Sequence, residues 1–324
     1  MNKVYIIAEI GVNHNGKLTL AKKMIKAAKN SGADAVKFQS FRTEEFMANK
    51  KIIYKYDKSK EKMYAMFQRL EFKNHWYTIL SKYCKQIKID FITSIADSES
   101  LKNYLKINPK FIKLSSEDLI NYPLLKTLSK LKKTIIVSTG MADEIEIKIA
   151  LNILKKNKII ILHCVSLYPT SLKDINLNRI ISLKKFGFPV GFSDHTVGIK
   201  ASIYAVLLGA KIIEKHFTIN KNLKGPDHKI SSDPKELSLL VKEVRLISKI
   251  IGDGEINPKN KEINIRKKFR RSIVASEKIE KNQIIKSSML SLKRPGTGLH
   301  PIYLKKIIGS KSKYHFEKNQ KLKI

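Results

Sequence analysis

The stretch PVGFSDHTVGIKASIYAVLLGAKIIEKHFT, residues 189–218, contains one complete strand–helix–strand unit. Pro189–Phe192 and Lys211–Glu214 are short runs that are apolar on both faces, as buried parallel strands are. Between them, Ile199–Leu208 has apolar residues at helical spacing. Polar side chains follow each predicted strand directly. The unit therefore predicts a parallel α/β fold with chemical groups at the ends of its strands.

The same alternation of strand and helix runs from the first residues to about residue 250. Six further strand candidates precede the unit, at Val4–Ala8, Ala35–Phe38, Ile89–Thr93, Phe111–Leu114, Thr134–Val137 and Ile159–His163. The helical patterns are Leu18–Asn30, His75–Gln86, Ser98–Lys106, Tyr122–Leu131, Asp143–Lys155, Leu177–Lys185, Ile199–Leu208 and Pro234–Ile251. Eight strands that are each followed by a helix predict a (β/α)8 TIM barrel. A doubly wound sheet is the alternative, but it seldom has eight such evenly spaced units.

The chain after the last predicted helix has a different character. Residues 253–268 are polar with almost no apolar periodicity, which predicts a linker. Short strands separated by turn residues then follow. They are predicted at Ser272–Ala275, Leu290–Leu292 and Gln320–Ile324. The sequence thus predicts a barrel domain over residues 1–252, the linker, and a small β-rich domain over residues 269–324.

One predicted connection from strand to helix is unusually long. The 36 residues Gln39–Asn74 stand where a barrel usually has about two to six. Such a connection leaves the C-terminal face of a barrel, where active sites are built. The insertion is therefore expected to face the substrate, with a surface elaboration as the alternative.

The composition limits the class of partner. The chain has 324 residues, of which 43% are hydrophobic, so a large core can be buried and intrinsic disorder is excluded. Lys and Arg outnumber Asp and Glu by 64 to 28, a net charge of +36 that suggests an anionic partner. However, eight of these basic residues are Arg, the lysines are scattered, and no nucleic-acid-binding motif is present, so no nucleic-acid partner is expected. The apolar runs are too short to cross a membrane, and a cytoplasmic location is expected.

Polar side chains lie in or just after the last residues of the predicted strands, whose C-terminal ends converge on one mouth in a barrel. These groups are Glu9, Lys37, Gln39, Ser94, Lys113, Ser116, Ser138, Ser166, Tyr168, Ser193, His195 and His216. Lysines with converging hydroxyls suit a small substrate that carries phosphate and carboxylate groups.

His195 and His216 end consecutive predicted strands, which lie about 4.8 Å apart in a parallel sheet. Both imidazoles could therefore bind one divalent ion, with Mn²⁺, Zn²⁺, Co²⁺ and Mg²⁺ as candidates. Two separate hydrogen-bonding histidines are the alternative.

Several strand-end motifs together resemble those of a known family, the sialic acid synthases. The matching stretches of the barrel are AEIGVNHNG (8–16), VKFQ (36–39), STGM (138–141), LHCVSLYPT (162–170), GFSDHT (191–196), EKHFT (214–218) and GPDH (225–228). Two further stretches, RRSIVA (270–275) and KRPGTG (293–298), resemble the family's C-terminal antifreeze-like (SAF) domain, a β-clip fold. The similarity extends in order from about residue 3 to residue 324.

The resemblance implies a reaction and strengthens the metal assignment. Phosphoenolpyruvate would condense with N-acetylmannosamine to give N-acetylneuraminate and phosphate. The alternative sugar is 2,4-diacetamido-2,4,6-trideoxymannose, which would give legionaminic acid. His195 and His216 would hold a divalent metal ion, with Mn²⁺ the leading candidate and Mg²⁺ or Co²⁺ the alternatives.

The resemblance also implies roles for single residues. The groups that would hold phosphoenolpyruvate are Lys37, Lys113, Ser116, Ser138 and Ser193, with Ser94 and Ser166 as further substrate-binding candidates. Glu9 would lie near the reaction intermediate, and the sugar would be bound by Gln39, Tyr168 and Asp227. Arg294 would reach the sugar site of a partner subunit, which implies a domain-swapped homodimer.

The sequence departs from the family pattern at Ile95, Glu117 and Ile230, which weakens any claim about the sugar. Two other functions are also compatible with the residues alone. One is a barrel aldolase or phosphosugar enzyme, and the other is a polyanion-binding β-domain attached to an inert barrel.

Overall fold

Within the computed structural model, which describes residues 3–56 and 59–324, eight parallel strands close into a barrel. The strands of the chain are β1 (Tyr5–Gly11), β2 (Ala35–Ser40), β3 (Ile53–Tyr56), β4 (Ser59–Lys62), β5 (Asp90–Ile95), β6 (Phe111–Leu114), β7 (Thr134–Ser138), β8 (Lys158–Cys164), β9 (Val190–Asp194), β10 (Ile212–His216), β11 (Ser272–Ala275) and β12 (Leu290–Lys293). The order around the barrel is β1-β10-β9-β8-β7-β6-β5-β2. The predicted (β/α)8 TIM barrel is confirmed.

Helices alternate with the barrel strands as the sequence predicts. They are α1 (Leu18–Asn30), α2 (Thr43–Phe46), α3 (Met63–Leu70), α4 (Trp76–Gln86), α5 (Ser98–Leu105), α6 (Tyr122–Ser129), α7 (Glu144–Leu154), α8 (Arg179–Leu183), α9 (Lys200–Leu207), α10 (Pro234–Ile250), α11 (Asn260–Phe269) and α12 (Leu304–Ile307). Asp233 begins α10 with a capping box, because its side chain accepts from the amide of Glu236 at 2.9 Å while Glu236 accepts from the amide of Asp233 at 3.0 Å. Among the described helices, none is long and apolar enough to span a membrane.

The barrel strands are buried on both faces, which explains their continuous Val and Ile content. Side chains on the outer face form the large core with the helices. On the inner face, one layer fills the floor of the barrel with Ile7, Ala35, Ile92, Ile136, Leu162 and Ile212. Since side chains alternate along a strand, the residue two positions further on in each strand also faces inward, one layer nearer the C-terminal mouth.

The chain divides into two compact units, Met1–Asp253 and Gly254–Ile324. In the second unit β11 and β12 pair antiparallel over a small core that contains Ile273, Ile279 and Phe316. The predicted strand at Gln320–Ile324 is wrong, because over these described residues Lys321 makes a single bridge to Val274 and no longer ladder forms.

The segment predicted to be a linker, residues 253–268, contains most of the helix α11, which begins at Asn260. No side chain of α11 is buried in the described structure, so its sequence lacks the apolar periodicity that marks a packed helix. Its charges favour a helix in another way, since Glu262 lies in the first turn and Arg266, Lys267 and Lys268 lie in the last, where each complements the helix dipole.

The long insertion after β2 folds over its own small core. It contains α2, the β3–β4 hairpin and α3, and Phe41, Met66 and Leu70 pack there with Val12. Arg42 joins the insertion to the barrel, since its amide donates to Asp97 at 2.8 Å and its guanidinium Nε lies 3.3 Å from Glu99 Oε1. The insertion is therefore held in place at the mouth of the barrel.

Candidate active site

A pocket of about 780 Å³, partly open to solvent, lies at the C-terminal mouth of the barrel. Its inner lining comes from the layer directly above the apolar floor. Glu9 lies two positions after Ile7, and Lys37 lies two positions after Ala35. The same alternation brings in further lining residues, namely Ser94, Ser138, Cys164 and Glu214. The barrel register thus places these side chains in a single layer.

Two lysines and two glutamates form a buried charge cluster at the base of the pocket. Lys37 Nζ lies 2.8 Å from Glu9 Oε1 and 3.8 Å from Glu214 Oε1. Lys113 Nζ lies 3.9 Å from the same Glu214 oxygen. All four side chains are at most 6% exposed. Water is therefore largely excluded from the cluster, and each charge depends on its neighbours.

Burial and neighbouring charges change the proton affinities of these groups. Burial raises the pKa of Glu9 to about 7, against the opposing effect of Lys37. Burial also tends to raise the pKa of Glu214, but the nearby charges of Lys113 and Lys37 outweigh burial, and the pKa of Glu214 is lowered. Burial also lowers the pKa of Lys113, whereas Glu214 and Glu9 overcome burial and raise the pKa of Lys37. Glu9 is therefore the carboxyl of this cluster that can exchange a proton near neutral pH.

Hydroxyl groups surround the lysines. Lys113 Nζ donates to Ser138 Oγ at 2.6 Å, and Ser193 Oγ donates to Glu214 Oε1 at 2.8 Å. The backbone amide of Gly140 donates to Ser116 Oγ at 3.0 Å. These groups form the polar floor of the pocket, one layer above the apolar floor of the barrel, and combine positive charge with hydrogen-bonding hydroxyls.

Gly140 is closely packed against two serine side chains. A Cβ atom there would lie 2.3 Å from Ser166 Oγ and 2.7 Å from Ser116 Oγ. Both distances are far below van der Waals contact, so a larger residue would displace the two serines. This close approach also shows that Ser166 adjoins the floor of the pocket.

The two histidines predicted to bind a metal ion lie close together in the lining of the pocket. Their ring centroids are 5.5 Å apart, and the half-exposed Tyr168 ring lies 4.1 Å from that of His195. His195 Nδ1 lies 2.7 Å from the carbonyl of Val165, so this nitrogen carries the proton and donates. In the neutral form of the ring, Nε2 of His195 then has the lone pair that a metal ion would need.

His216 is buried and its surroundings keep it neutral. Burial lowers its pKa well below the usual range, and His195 acts in the same direction. His216 Nδ1 lies 3.8 Å from Asp227 Oδ2, and burial raises the pKa of Asp227 to about 6. Across residues 3–56 and 59–324, His216 Nδ1 and Glu9 Oε2 are buried atoms without a hydrogen-bond partner.

The loop that carries Asp227 is fastened to the loop after β1. Asn13 Nδ2 donates to the carbonyl of Phe217 at 3.0 Å and to Ser231 Oγ at 2.9 Å. Ser231 Oγ in turn donates to the carbonyl of Asp227 at 2.7 Å. The loop after β1 therefore positions Asp227 beside His216.

The donors present fit a catalytic metal ion better than a structural one. The described part of the chain has no group of three or more His, Cys, Asp or Glu side chains arranged to enclose a metal ion. His195 and His216 nevertheless supply two imidazoles, one of them with a buried unpartnered nitrogen. Two protein ligands would leave coordination positions open for substrate and water, as catalytic sites require.

Most of the residues predicted from the sequence meet in this pocket. Its lining includes Glu9, Lys37, Gln39, Ser94, Lys113, Ser116, Ser138, Tyr168, Ser193, His195 and His216. Ser166 and Asp227 adjoin it through Gly140 and His216. Arg294 belongs to the second unit, where its Nε donates to the carbonyl of Phe269 at 3.1 Å and its guanidinium lies 5.0 Å from the Phe269 ring centroid. The role of Arg294 in a partner's site stays a prediction.

Several lining residues had no predicted role. Glu214 precedes His216 by two positions on β10, so strand alternation alone could have placed both side chains in the mouth. By contrast, Phe41, Phe46 and Phe67 come from the insertion, and its sequence has no feature that points them towards the barrel.

Comparisons with known proteins agree with this site. The model of the NeuB family matches residues 24–256, and that of the SAF domain matches residues 270–323. An N,N'-diacetyllegionaminic acid synthase of Campylobacter jejuni is 41% identical over 99% of both chains. A pseudaminic acid synthase of Campylobacter jejuni is 35% identical over 99% of this chain and 96% of its own. The crystal structure of an N-acetylneuraminic acid synthetase from Leptospira borgpetersenii is 38% identical with a TM-score of 0.76, covering 82% of this chain and 92% of the other.

Proposed function

The chain belongs to the NeuB family of sialic acid synthase-type transferases, and we propose that it condenses phosphoenolpyruvate with an N-acetylated mannosamine-type sugar. The products would be a nine-carbon 2-keto acid and inorganic phosphate. The observation that carries this proposal is the meeting of the Lys37–Glu9–Glu214–Lys113 cluster and two imidazoles in one pocket. The two lysines of the cluster suit the carboxylate and phosphate of phosphoenolpyruvate. The two imidazoles suit a metal ion that would polarise the aldehyde of the sugar.

Phosphoenolpyruvate would bind over the polar floor. Its carboxylate and phosphate both need donors, and Lys37 and Lys113 supply charge-assisted ones. The hydroxyls that would complete its binding are Ser94, Ser116, Ser138, Ser166 and Ser193. Lys113 and Ser138 already share a hydrogen bond of 2.6 Å, so these two donors are positioned before the substrate arrives.

The charge of the pocket supports a metal cofactor. Within the described structure, the pocket is lined by four carboxyl groups and only two ammonium groups. The carboxyl groups belong to Glu9, Glu117, Asp118 and Glu214, and the ammonium groups to Lys37 and Lys113. A trianionic substrate in such a pocket needs further positive charge. A divalent ion on His195 and His216, with Mn²⁺ the leading candidate, would supply it and would polarise the sugar aldehyde. The alternatives are Mg²⁺ and Co²⁺.

The proposed reaction forms one carbon–carbon bond and breaks one carbon–oxygen bond. C3 of phosphoenolpyruvate attacks the aldehyde carbon of the open-chain sugar, whose oxygen gains a proton. Water adds at C2, and the resulting tetrahedral intermediate releases phosphate by cleavage of the C2–O bond. Glu9 is placed to transfer protons in these steps, because its pKa of about 7 lets it occupy both states near neutral pH.

The sugar would lie on the imidazole side of the pocket. Gln39, Tyr168 and Asp227 are the residues proposed to bind its hydroxyl groups. Arg294 of the other subunit in a domain-swapped homodimer would complete this site. Both the sugar contacts and the dimer rest on the family resemblance.

Two sugars are candidates for the acceptor. N-acetylmannosamine would give N-acetylneuraminate, and 2,4-diacetamido-2,4,6-trideoxymannose would give legionaminic acid.

The proposal is tested by measuring phosphate release from phosphoenolpyruvate with Mn²⁺ and each sugar in turn. We expect release that requires one of the sugars and stops when a chelator is added. The His195→Ala variant should release none, whereas His75→Ala, which removes an exposed imidazole at the start of α4, should behave as the native protein. Absence of release with either sugar from folded native protein would refute the proposal.

A further inference from the structure

The pocket has an aromatic wall, formed by Phe41, Phe46 and Phe67 of the insertion together with Ala96 after β5. The three phenyl rings contact one another edge to face, with centroids 5.2 to 5.4 Å apart. Phe41 is 5% exposed, but Phe46 is 42% exposed. A large apolar surface therefore faces a pocket whose other walls are charged or polar.

The wall has a fixed position. Phe41 and Phe67 pack with the buried Met66 and Leu70 of the insertion core. The amide of Thr43, at the start of α2, donates to Glu71 Oε1 at 2.8 Å, which ties α2 to the residue after α3. Together with the contacts of Arg42, these interactions hold the wall in place before any substrate binds.

The wall and the imidazoles line different sides of the mouth. The insertion follows β2 and Ala96 follows β5, whereas His195 follows β9 and His216 ends β10. In the ring of eight strands, β2 is two positions from β10 and three from β9, and β5 is three positions from β10 and four from β9. A sugar whose aldehyde lies near His195 and His216 would therefore reach the phenyl rings with its other end as it crosses the pocket.

Phosphoenolpyruvate does not account for the wall. Its two anionic groups require the lysines and hydroxyls of the floor, and its methylene carbon must face the aldehyde. Phenyl rings offer no hydrogen bond, so a sugar hydroxyl placed against them would lose a bond to water without replacement. An apolar substituent would instead gain by leaving water.

On the basis of the proposed function, we propose that the aromatic wall makes the enzyme specific for a sugar with an apolar group at the end remote from the aldehyde, that is, a 6-deoxy sugar. Phe46 is the most exposed phenylalanine of the wall and lines the pocket, so it is expected to contribute most to the preference. A preference of about ten- to a hundredfold in kcat/KM is the usual range for one such group in an apolar site.

The test compares N-acetylmannosamine with 6-deoxy-N-acetylmannosamine, which differ by one hydroxyl, in phosphate release from phosphoenolpyruvate. We expect the native protein to prefer the 6-deoxy sugar by about tenfold or more in kcat/KM. Phe46→Ala should reduce the preference several-fold, and Phe46→Leu should retain most of it. Because both sugars are offered to the same preparation, loss of folded protein does not change the ratio.

Phe188→Ala is the matched control. Phe188 is a partly buried phenylalanine that precedes β9, at the end of the barrel opposite the pocket, so its replacement should leave the ratio unchanged. Phosphate release with equal kcat/KM for the two sugars would overturn the inference and leave the proposed reaction standing. A preference that Phe46→Ala does not change would overturn it as well. Release with neither sugar would refute the proposed function, and the inference with it.

Discussion

Replacing Lys37 with Met tests the buried charge cluster most sharply. The substitution keeps the volume of the side chain but removes the ammonium group that lies 2.8 Å from Glu9 and 3.8 Å from Glu214. Glu214 keeps Lys113 as a partner, whereas Glu9 loses its closest cation. We therefore expect Glu9 to hold a proton in the folded variant at pH values where the native protein has already lost it.

The difference in the free energy of unfolding between the native protein and Lys37→Met follows from this extra proton. Burial already gives Glu9 a pKa of about 7, and removing Lys37 raises that pKa further. A carboxyl whose folded pKa lies above its unfolded value contributes stability at low pH that is lost as the pH rises through the folded pKa. Below about pH 7 Glu9 is mostly protonated in both proteins, so the variant is less stable by about 1 kcal/mol, from the lost Lys37–Glu214 attraction. Above pH 7 the difference grows by up to about 1.4 kcal/mol per pH unit. It levels off at about 3–5 kcal/mol, the cost of breaking a buried ion pair.

The assay is denaturant unfolding of the native protein and Lys37→Met between about pH 6 and pH 9. The double variant Glu9→Gln/Lys37→Met has no carboxyl to titrate at position 9, so the added pH dependence should disappear. Lys37→Met should also raise the KM for phosphoenolpyruvate. Lys215→Met is the control for the kinetic measurement, because Lys215 is buried 3.2 Å from Asp194 and is not among the described residues that line the pocket. This substitution should lower the stability of the protein without changing the KM for phosphoenolpyruvate. Parallel pH–stability curves for the native protein and Lys37→Met would refute the proposed coupling of Lys37 and Glu9.

Three further substitutions test other parts of the molecule. His195→Ala should abolish both Mn²⁺ binding, measured by calorimetry, and phosphate release; full activity would contradict the metal site. Arg294→Ala should raise the KM for the sugar and leave that for phosphoenolpyruvate unchanged, and unaltered sugar kinetics would remove this residue from the site. Asp34→Asn should lower the free energy of unfolding at neutral pH by about 1–2 kcal/mol. Burial tends to raise the pKa of Asp34, but hydrogen bonds from Lys3, the Ile6 amide and Arg245 outweigh burial and lower it. The stability that ionised Asp34 contributes is therefore lost as the pH falls through that lowered pKa. At such low pH the native protein and Asp34→Asn should be equally stable. A difference that persists in acid would contradict this assignment.

The barrel and most of the pocket could be predicted because both follow from local pattern. Runs such as Ile159–His163 are apolar on both faces, which indicates a buried parallel strand, and the polar residues after each run must then meet at one mouth. Lys37, Lys113 and His216 were found in this way, and all three line the pocket.

Other features depend on contacts that the sequence does not show. The helix α11 has charges at its ends but no buried face, so its sequence has the composition of a linker. Gln320–Ile324 has the residues of a strand, yet its backbone meets β11 at a single bridge. The aromatic wall arises because the fold of the insertion brings Phe67 against Phe41 and Phe46, which lie more than 20 residues earlier in the sequence.

The most direct test of the proposed reaction follows the bridging oxygen of phosphoenolpyruvate. Phosphoenolpyruvate labelled with ¹⁸O between C2 and phosphorus is incubated with the native protein, Mn²⁺ and the preferred sugar, and the phosphate is analysed by mass spectrometry. Cleavage of the C2–O bond predicts that the label is found in the released phosphate and that release depends on the sugar. Unlabelled phosphate would show that the phosphorus–oxygen bond is broken, and release without the sugar would show that phosphate release is not coupled to condensation. Either result would contradict the synthase reaction proposed for this pocket.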